Sequence, residues 1–307
     1  MVNYYTLENG HAQLIEEPAP TVFWVDLINP SVEERRLVED YFAVELFTRQ
    51  ESEEIESSSR YVETEDEIGV NMNFLFQTGD FFCNSPVSFI LKNKALFTQR
   101  SMEFRTFSEV LQKLRALRPN DGNDVFLAIM ATRIDFDADF IEHITAKINT
   151  ISTHLAAGQD TDRDLLLKIA ALQTATITIR ENIIEKQRIL SSLLRSRLAP
   201  KDEETDITIM IKDVDSLLDH ASFNFERLEF LQNTFLGLVG IEQNRVIKIF
   251  TVVTVMFLPP TLIGAIYGMN FDVMPELRLR FGYPLALFMM VLSSALTLFL
   301  FRLKKWL

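Results

Sequence analysis

IFTVVTVMFLPPTLIGAIY, residues 249 to 267, carries no charged side chain, and its reading decides the fold. As a helix it would span roughly 28 Å, close to the thickness of a bilayer core. A second uncharged run, PLALFMMVLSSALTLFLF, covers residues 284 to 301. Two core helices of a soluble protein would look equally apolar. The basic flanks favour membrane spans instead, at about 249–267 and 284–303. Arg245 and Lys248 precede the first run; Arg302, Lys304 and Lys305 follow the second. The connecting loop, 268–283, balances Arg278 and Arg280 against Asp272 and Glu276. Basic residues mark the cytoplasmic side. Both termini are therefore expected inside, the loop outside, and Trp306 at the inner interface.

The first run is unusual for a plain anchor. Pro259 and Pro260 fall near its middle, where each removes a backbone donor. A membrane helix tolerates this when neighbours re-satisfy the freed carbonyls. Asn244, Thr251, Thr254, Leu258, Thr261, Ala265 and Gly268 recur at heptad spacing, with Ile247 on the same face. The seam is small, hydroxylated or mildly apolar, and holds no full charge. Such a face suits helix packing in a membrane. Repeated around an axis in several copies, it would equally line a pore.

Outward from the spans, the rest of the chain is acidic. The formal charge is -13, and the negative balance lies upstream of Arg245. That argues against nucleic acid as a partner, which needs a basic face. It fits a domain that attracts cations, or simply a soluble one. Cys83 is the only cysteine, so no intrachain disulfide or multi-cysteine zinc site can form. The start, MVNYYTLENG, shows neither a basic n-region nor an apolar h-region, so no cleaved signal is expected.

The N-terminal part reads as an α/β layer, residues 1–158. A hairpin turns at Asn9-Gly10, and VFWVDLI (22–28) is a buried strand. Ser31 and Glu34 are spaced as a capping box at the start of a helix. Strands follow at 67–77, 86–93 and 95–100, then helices at 104–117 and 124–155. From 159 to 248 the pattern is helical. One helix is expected over 160–198 and ends before Pro200. From about Glu203 no proline or glycine intervenes until Gly237 and Gly240, and the apolar period runs on into the first span. A continuous helix to Tyr267 would be roughly 95 Å long, a stalk joining a cytoplasmic domain to a membrane domain over 249–307. The fold class expected is thus an α+β/α-helical membrane protein.

YGMN directly after the first span, MPEL in the loop, FGYP at entry to the second and the terminal KKWL together resemble the CorA-type magnesium transporter family. The specific match covers the last 65 or so residues; the upstream layout is similar but less diagnostic. The resemblance implies a funnel-shaped homopentamer in the inner membrane, with five first spans around a pore. Gly268, Met269 and Asn270 fall on the signature motif and Tyr267 on the aromatic before it, together the expected selectivity filter. Asn244, Ile247, Leu258 and Thr261 fall on pore-lining positions, with Thr251 or Phe250 between them. Ile247 and Leu258 stand where some members have methionine, and a gate that works by dewetting is expected there.

The chemistry this implies suits Mg²⁺, which gives up its octahedron of waters reluctantly. Five Asn270 carboxamides offer acceptors to a hydrated ion without trapping it as bare carboxylates would. Asp272 and Glu276 would concentrate cations outside; Glu276 could equally pair with Arg278 or Arg280. In relatives Mg²⁺ also binds between cytoplasmic domains and holds the pore shut. Asp213, Asp215 and Asp219 are the candidate ligands here, against the alternative of solvated carboxylates on a helix. The stalk position of a relative's sensor aspartate falls near Ile209. The divalent ion is thus substrate and regulatory ligand, and no cofactor is expected.

No enzyme signature is present: no Walker loop, no dinucleotide glycine fingerprint, no cysteine-nucleophile context. The four histidines show no metal-ligand spacing. Two alternatives stay open. One is a zinc transporter of the same architecture, like the ZntB branch, which typically carries isoleucine where Met269 stands. The other is a membrane-anchored coiled-coil scaffold, which would not need Asn270. Co²⁺ and Ni²⁺ are further possible substrates.

Overall fold

The run VFWVDLI forms strand β3 (Val22–Ile28), buried at six of its seven residues. In the computed structural model, which describes residues 1–8, 11–53, 60–79, 81–157, 163–198, 203–270, 274–275 and 279–304, β3 lies inside a seven-stranded sheet. Its other strands are β1 (Val2–Glu8), β2 (His11–Ile15), β4 (Tyr61–Glu63), β5 (Glu67–Thr78), β6 (Phe81–Lys92) and β7 (Ala95–Arg100), in the order β2-β1-β3-β7-β6-β5-β4. Only β3 and β7 run parallel; the other neighbours are antiparallel. β1 and β2 pair with Glu8 opposite His11, as a two-residue hairpin turn requires; the expected turn residues, 9 and 10, lie outside the described residues.

β6 starts five residues before the expected strand at 86–93. Pro86, the first residue of the expected strand, is accommodated by the register. It faces Asn73 of β5, whose N–H turns the other way, to Glu185 at 3.3 Å. The proline nitrogen therefore points to the β7 side, where pairing begins only at Val87. No ladder bond is lost.

The helices of this part are α1 (Val32–Phe42), the short α2 (Arg49–Glu53), α3 (Arg105–Leu117), α4 (Gly122–Ala156) and α5 (Arg163–Leu193). The capping box of α1 forms: Glu34 N–H donates to Ser31 Oγ (3.1 Å) and Ser31 N–H to Glu34 Oε2 (2.8 Å). α4 starts hard against the sheet. Gly122 N–H donates to Lys94 O at 2.7 Å, and a Cβ there would sit 2.4 Å from the backbone nitrogen of Leu96, so only glycine fits. α5 is shorter than the helix expected over 160–198. Arg195 and Ser196 N–H turn to carbonyls three residues back and close it, while 160–162 lie outside the described residues.

A buried ionic cluster ties α4 to α5. Arg133, Asp137 and Lys186 are each at most 3 % exposed. Arg133 and Lys186 both donate to Asp137, the latter at 2.9 Å, and Lys186 also donates to Asn182. Burial alone would push the Asp137 carboxyl up, but Lys186 and Arg133 outweigh it and hold the carboxyl below the usual carboxylate range. Glu185, paired with Arg60 at 2.7 Å, is pushed up by burial although Arg60 and Lys186 pull the other way. Asn182 and Glu185 satisfy the backbone C=O and N–H of Asn73, on the edge of β5 beyond the end of β4.

The chain divides into two units, Met1–Gln232 and Asn233–Leu307. The helix α6 (Glu204–Tyr267) is 64 residues long and belongs to both, in line with the expected stalk. Within the first unit its early turns dock on α4 and α5, through Asn224 to Thr145 (2.8 Å) and Gln173 to Gln232 (3.0 Å). Within the second, α6 is followed by α7 (Gly282–Leu303).

Candidate functional site

α6 and α7 are the two helices, among the described residues, long and apolar enough to cross a membrane. In the second unit α6 presents two distinct faces. Val252, Met256, Pro259, Pro260, Ile263 and Tyr267 form a half-buried stripe. It includes the point where α7 touches: Ser294 Oγ donates to Met256 O at 3.3 Å. About two turns further along α6, a Cβ at Gly264 would lie 3.4 Å from Met290 Cε.

The heptad seam lies on the other face. Asn244, Ile247, Thr251, Thr254, Leu258, Thr261 and Ala265 are all exposed. No charged residue occurs on α6 after Lys248. Each threonine of the seam donates its hydroxyl proton to its own helix, four residues back: Thr251 to Ile247 O (2.8 Å), Thr254 to Phe250 O (2.8 Å) and Thr261 to Phe257 O (2.7 Å). With the protons so held, the lone pairs of the oxygens are what the face offers. It is a row of neutral acceptors separated by the apolar Ile247 and Leu258.

The helix closes at the YGMN stretch. Gly268 N–H is shared between Gly264 O (3.0 Å) and Ala265 O (3.2 Å), and Met269 N–H bonds Ile266 O (3.2 Å). Gly268 has no left-handed backbone. A Cβ there would be tight, 3.2 Å from the Gly264 carbonyl oxygen. Met269 and Asn270 follow, both exposed. Asp272 and Glu276 lie outside the described residues, as do Arg278, Lys305 and Trp306.

The three acidic residues expected to sense ions do not converge. Asp215 accepts from Gln187 of α5 at 2.5 Å. Asp219 is exposed. Asp213 instead lines a cavity of about 520 Å³ with Asp124, Asp206 and Glu203, beside Arg118. There the carboxylate oxygens of Asp121, Asp124 and Glu203 lie within 4.8 Å of one another. Sequence reasoning passed over this group because Glu203 is far along the chain from the other two. Asp121 also serves as the N-cap of α4, accepting from Asn123 N–H at 2.9 Å, and Asp124 accepts from Asn120 N–H at 2.6 Å.

An α/β unit, one very long helix and a closing pair of apolar helices with a bare neutral seam define a two-span membrane protein. The family described as CorA-like Mg²⁺ transporter protein matches residues 20–305. The magnesium transport protein CorA of Wolinella succinogenes is 37% identical, and that of Escherichia coli (strain K12) 34%, each over 100% of both chains. The solved CorA magnesium transporter from Methanocaldococcus jannaschii superposes with a TM-score of 0.86 at 20% identity, covering 100% of this chain and 99% of that one. The ZntB cytoplasmic domain from Vibrio parahaemolyticus superposes at 0.61 and 14% identity, covering 79% of this chain and 97% of that one. The chain belongs to the CorA-like Mg²⁺ transporter family.

Proposed function

We propose that the protein conducts hydrated Mg²⁺ into the cytoplasm through a pore formed by five copies of α6. The exposed seam of back-bonded threonines, ending at Gly268-Met269-Asn270 and turned away from α7, is the observation that carries this reading. A closed ring of copies would place these acceptors around an axis and leave α7 outermost. The Asn270 carboxamides then form the filter, accepting hydrogen bonds from waters that Mg²⁺ keeps. Ile247 and Leu258 form the constrictions that close by dewetting. Both termini lie in the cytoplasm and the filter outside, by the basic flanks of the spans. Entry needs no ATP, since two charges crossing an inside-negative membrane gain roughly 4.6 kcal/mol per 100 mV.

Asp213 is the proposed regulatory contact for cytoplasmic Mg²⁺, because the cavity it lines supplies the carboxylate oxygens a hard cation takes. Asp215 and Asp219 act at most beside it. The magnesium reading is preferred to zinc because the full-length relatives at 34% and 37% identity are named magnesium transport proteins.

The test is uptake into liposomes holding the full chain and a Mg²⁺-sensitive dye, with an imposed potential. Asn270→Ala is expected to reduce uptake to that of empty vesicles while leaving the assembled mass in detergent that of five copies. Undiminished uptake by the variant overturns the filter. Impermeable vesicles, or particles of a single subunit, overturn the whole reading.

A further inference from the structure

Pro259 and Pro260 sit inside α6 and have no N–H to return to the carbonyls of Val255 and Met256. In a bilayer no water is at hand to replace them. Met256 O receives another donor, the hydroxyl of Ser294 on α7, at 3.3 Å. This is not a hydroxyl's usual habit in these helices. Thr251, Thr254, Thr261 and Thr297 all donate four residues back within their own helix, and the adjacent Ser293 donates to Met290 O, three back. Ser294 is the side chain of α7 that reaches across, and it reaches the carbonyl that Pro260 vacates. Met290 of α7 also comes close to α6 nearby, where a Cβ at Gly264 would lie 3.4 Å from its Cε.

The partner carbonyl lies on the half-buried stripe of α6, while Thr254 and Leu258, two residues to either side in sequence, lie on the seam. We propose that Ser294 is a positioning residue for transport: by occupying the Met256 carbonyl it sets how the seam residues at the proline pair face the ion path. The inference rests on the transport reading above and adds to it a role for α7, which otherwise only surrounds the pore. Ser294 touches neither ion nor filter, so it governs how fast ions pass rather than how they are first bound.

The full chain in liposomes decides it, with uptake measured against external Mg²⁺ per reconstituted molecule. Ser294→Ala is expected to lower maximal uptake about threefold, the size of an average interhelical hydrogen bond in a membrane, with half-saturating Mg²⁺ unchanged. Ser294→Thr, which keeps the hydroxyl, is expected to match the unaltered chain. Pro260→Ala gives Met256 O its helical donor back, so Ser294→Ala in that background should have no further effect. An equal loss in both backgrounds, no loss in either, or a shift in half-saturation instead of rate overturns the proposal. Should Pro260→Ala fail to assemble, Ser294→Val against Ser294→Thr isolates the hydroxyl at nearly constant shape, and equal rates for that pair overturn it as well. An unaltered chain that passes no Mg²⁺ fails the transport reading, and the positioning role with it. A chain that conducts while the variants behave alike fails this inference alone.

Discussion

In the N-terminal unit Asp137, Arg133 and Lys186 are almost fully enclosed, and each charge has a fixed partner. In α6 after Lys248 there is no charge at all, and the side-chain polar atoms of the seam are hydroxyls on an exposed face. Both regions bring oxygen atoms to where apolar packing would be simpler. On the proposed transport reading they differ in what the oxygens are for. A carboxylate in a packed core holds a cation permanently, and the low dielectric makes the pair costly to break. A path for an ion needs acceptors that attract without holding, so the charge stays on the ion alone. The same elements that stabilise one unit would disable the other.

Exchanging the two kinds of group tests this contrast. The largest effect is expected for Asp137→Asn, which strands two buried cations and should remove about 3–5 kcal/mol from the stability of the N-terminal unit. Urea unfolding of the full chain in detergent, followed by Trp24 fluorescence, measures it; a loss under about 1 kcal/mol would break the contrast. Next is the reverse exchange. Thr254→Asp sets a carboxylate in the seam and should cut maximal Mg²⁺ uptake roughly tenfold by holding the ion. Uptake as fast as that of the unaltered chain would show that charge is tolerated there.

A smaller effect is the response to acid. A carboxyl whose folded pKa lies below its unfolded one stabilises fully above the unfolded value, here near 3.8 for Asp137, and ceases to as pH falls through the folded value. Stability of the N-terminal unit should therefore decline below about pH 4. Asp137→Asn should flatten that limb. Glu185, raised by burial, has the opposite sign: its contribution is present at low pH and fades as pH rises. Glu185→Gln should remove the fading and sharpen the acid limb. The smallest effect expected is that of Thr261→Val, about twofold in uptake with no change in thermal midpoint, because its hydroxyl is bonded only within its own turn.

The features that repeat were legible in the sequence. The spans rest on long uncharged runs, and the long helix and the seam on a period sustained over several turns. The strand VFWVDLI and the capping box of Ser31 and Glu34 rest on strong local signals. What escaped depends on partners far along the chain. Asp137 and Arg133, one turn apart, have the spacing of an ordinary surface pair, and nothing local says that Lys186 closes over them. That β6 runs back to Phe81, ahead of the expected start at Pro86, rests on its pairing with β5. The proline pair of α6 was legible as a gap in the hydrogen bonding, and the need for a neighbour to fill it followed from the bilayer. That the neighbour is Ser294 rather than Ser293 or Thr297 was not, since only the packing of α7 selects among them.

The direction of the threonine hydroxyls has one more consequence. Chloride or phosphate passing the threonines would find no hydroxyl proton to accept, because every hydroxyl hydrogen of the seam is already committed and the amide hydrogens of Asn244 and Asn270 lie only at its two ends. Rejection of anions along that stretch would then need no fixed negative charge. A lumen built this way would discriminate by the sign of the permeating particle through bond polarity alone, at any pH at which the helices persist.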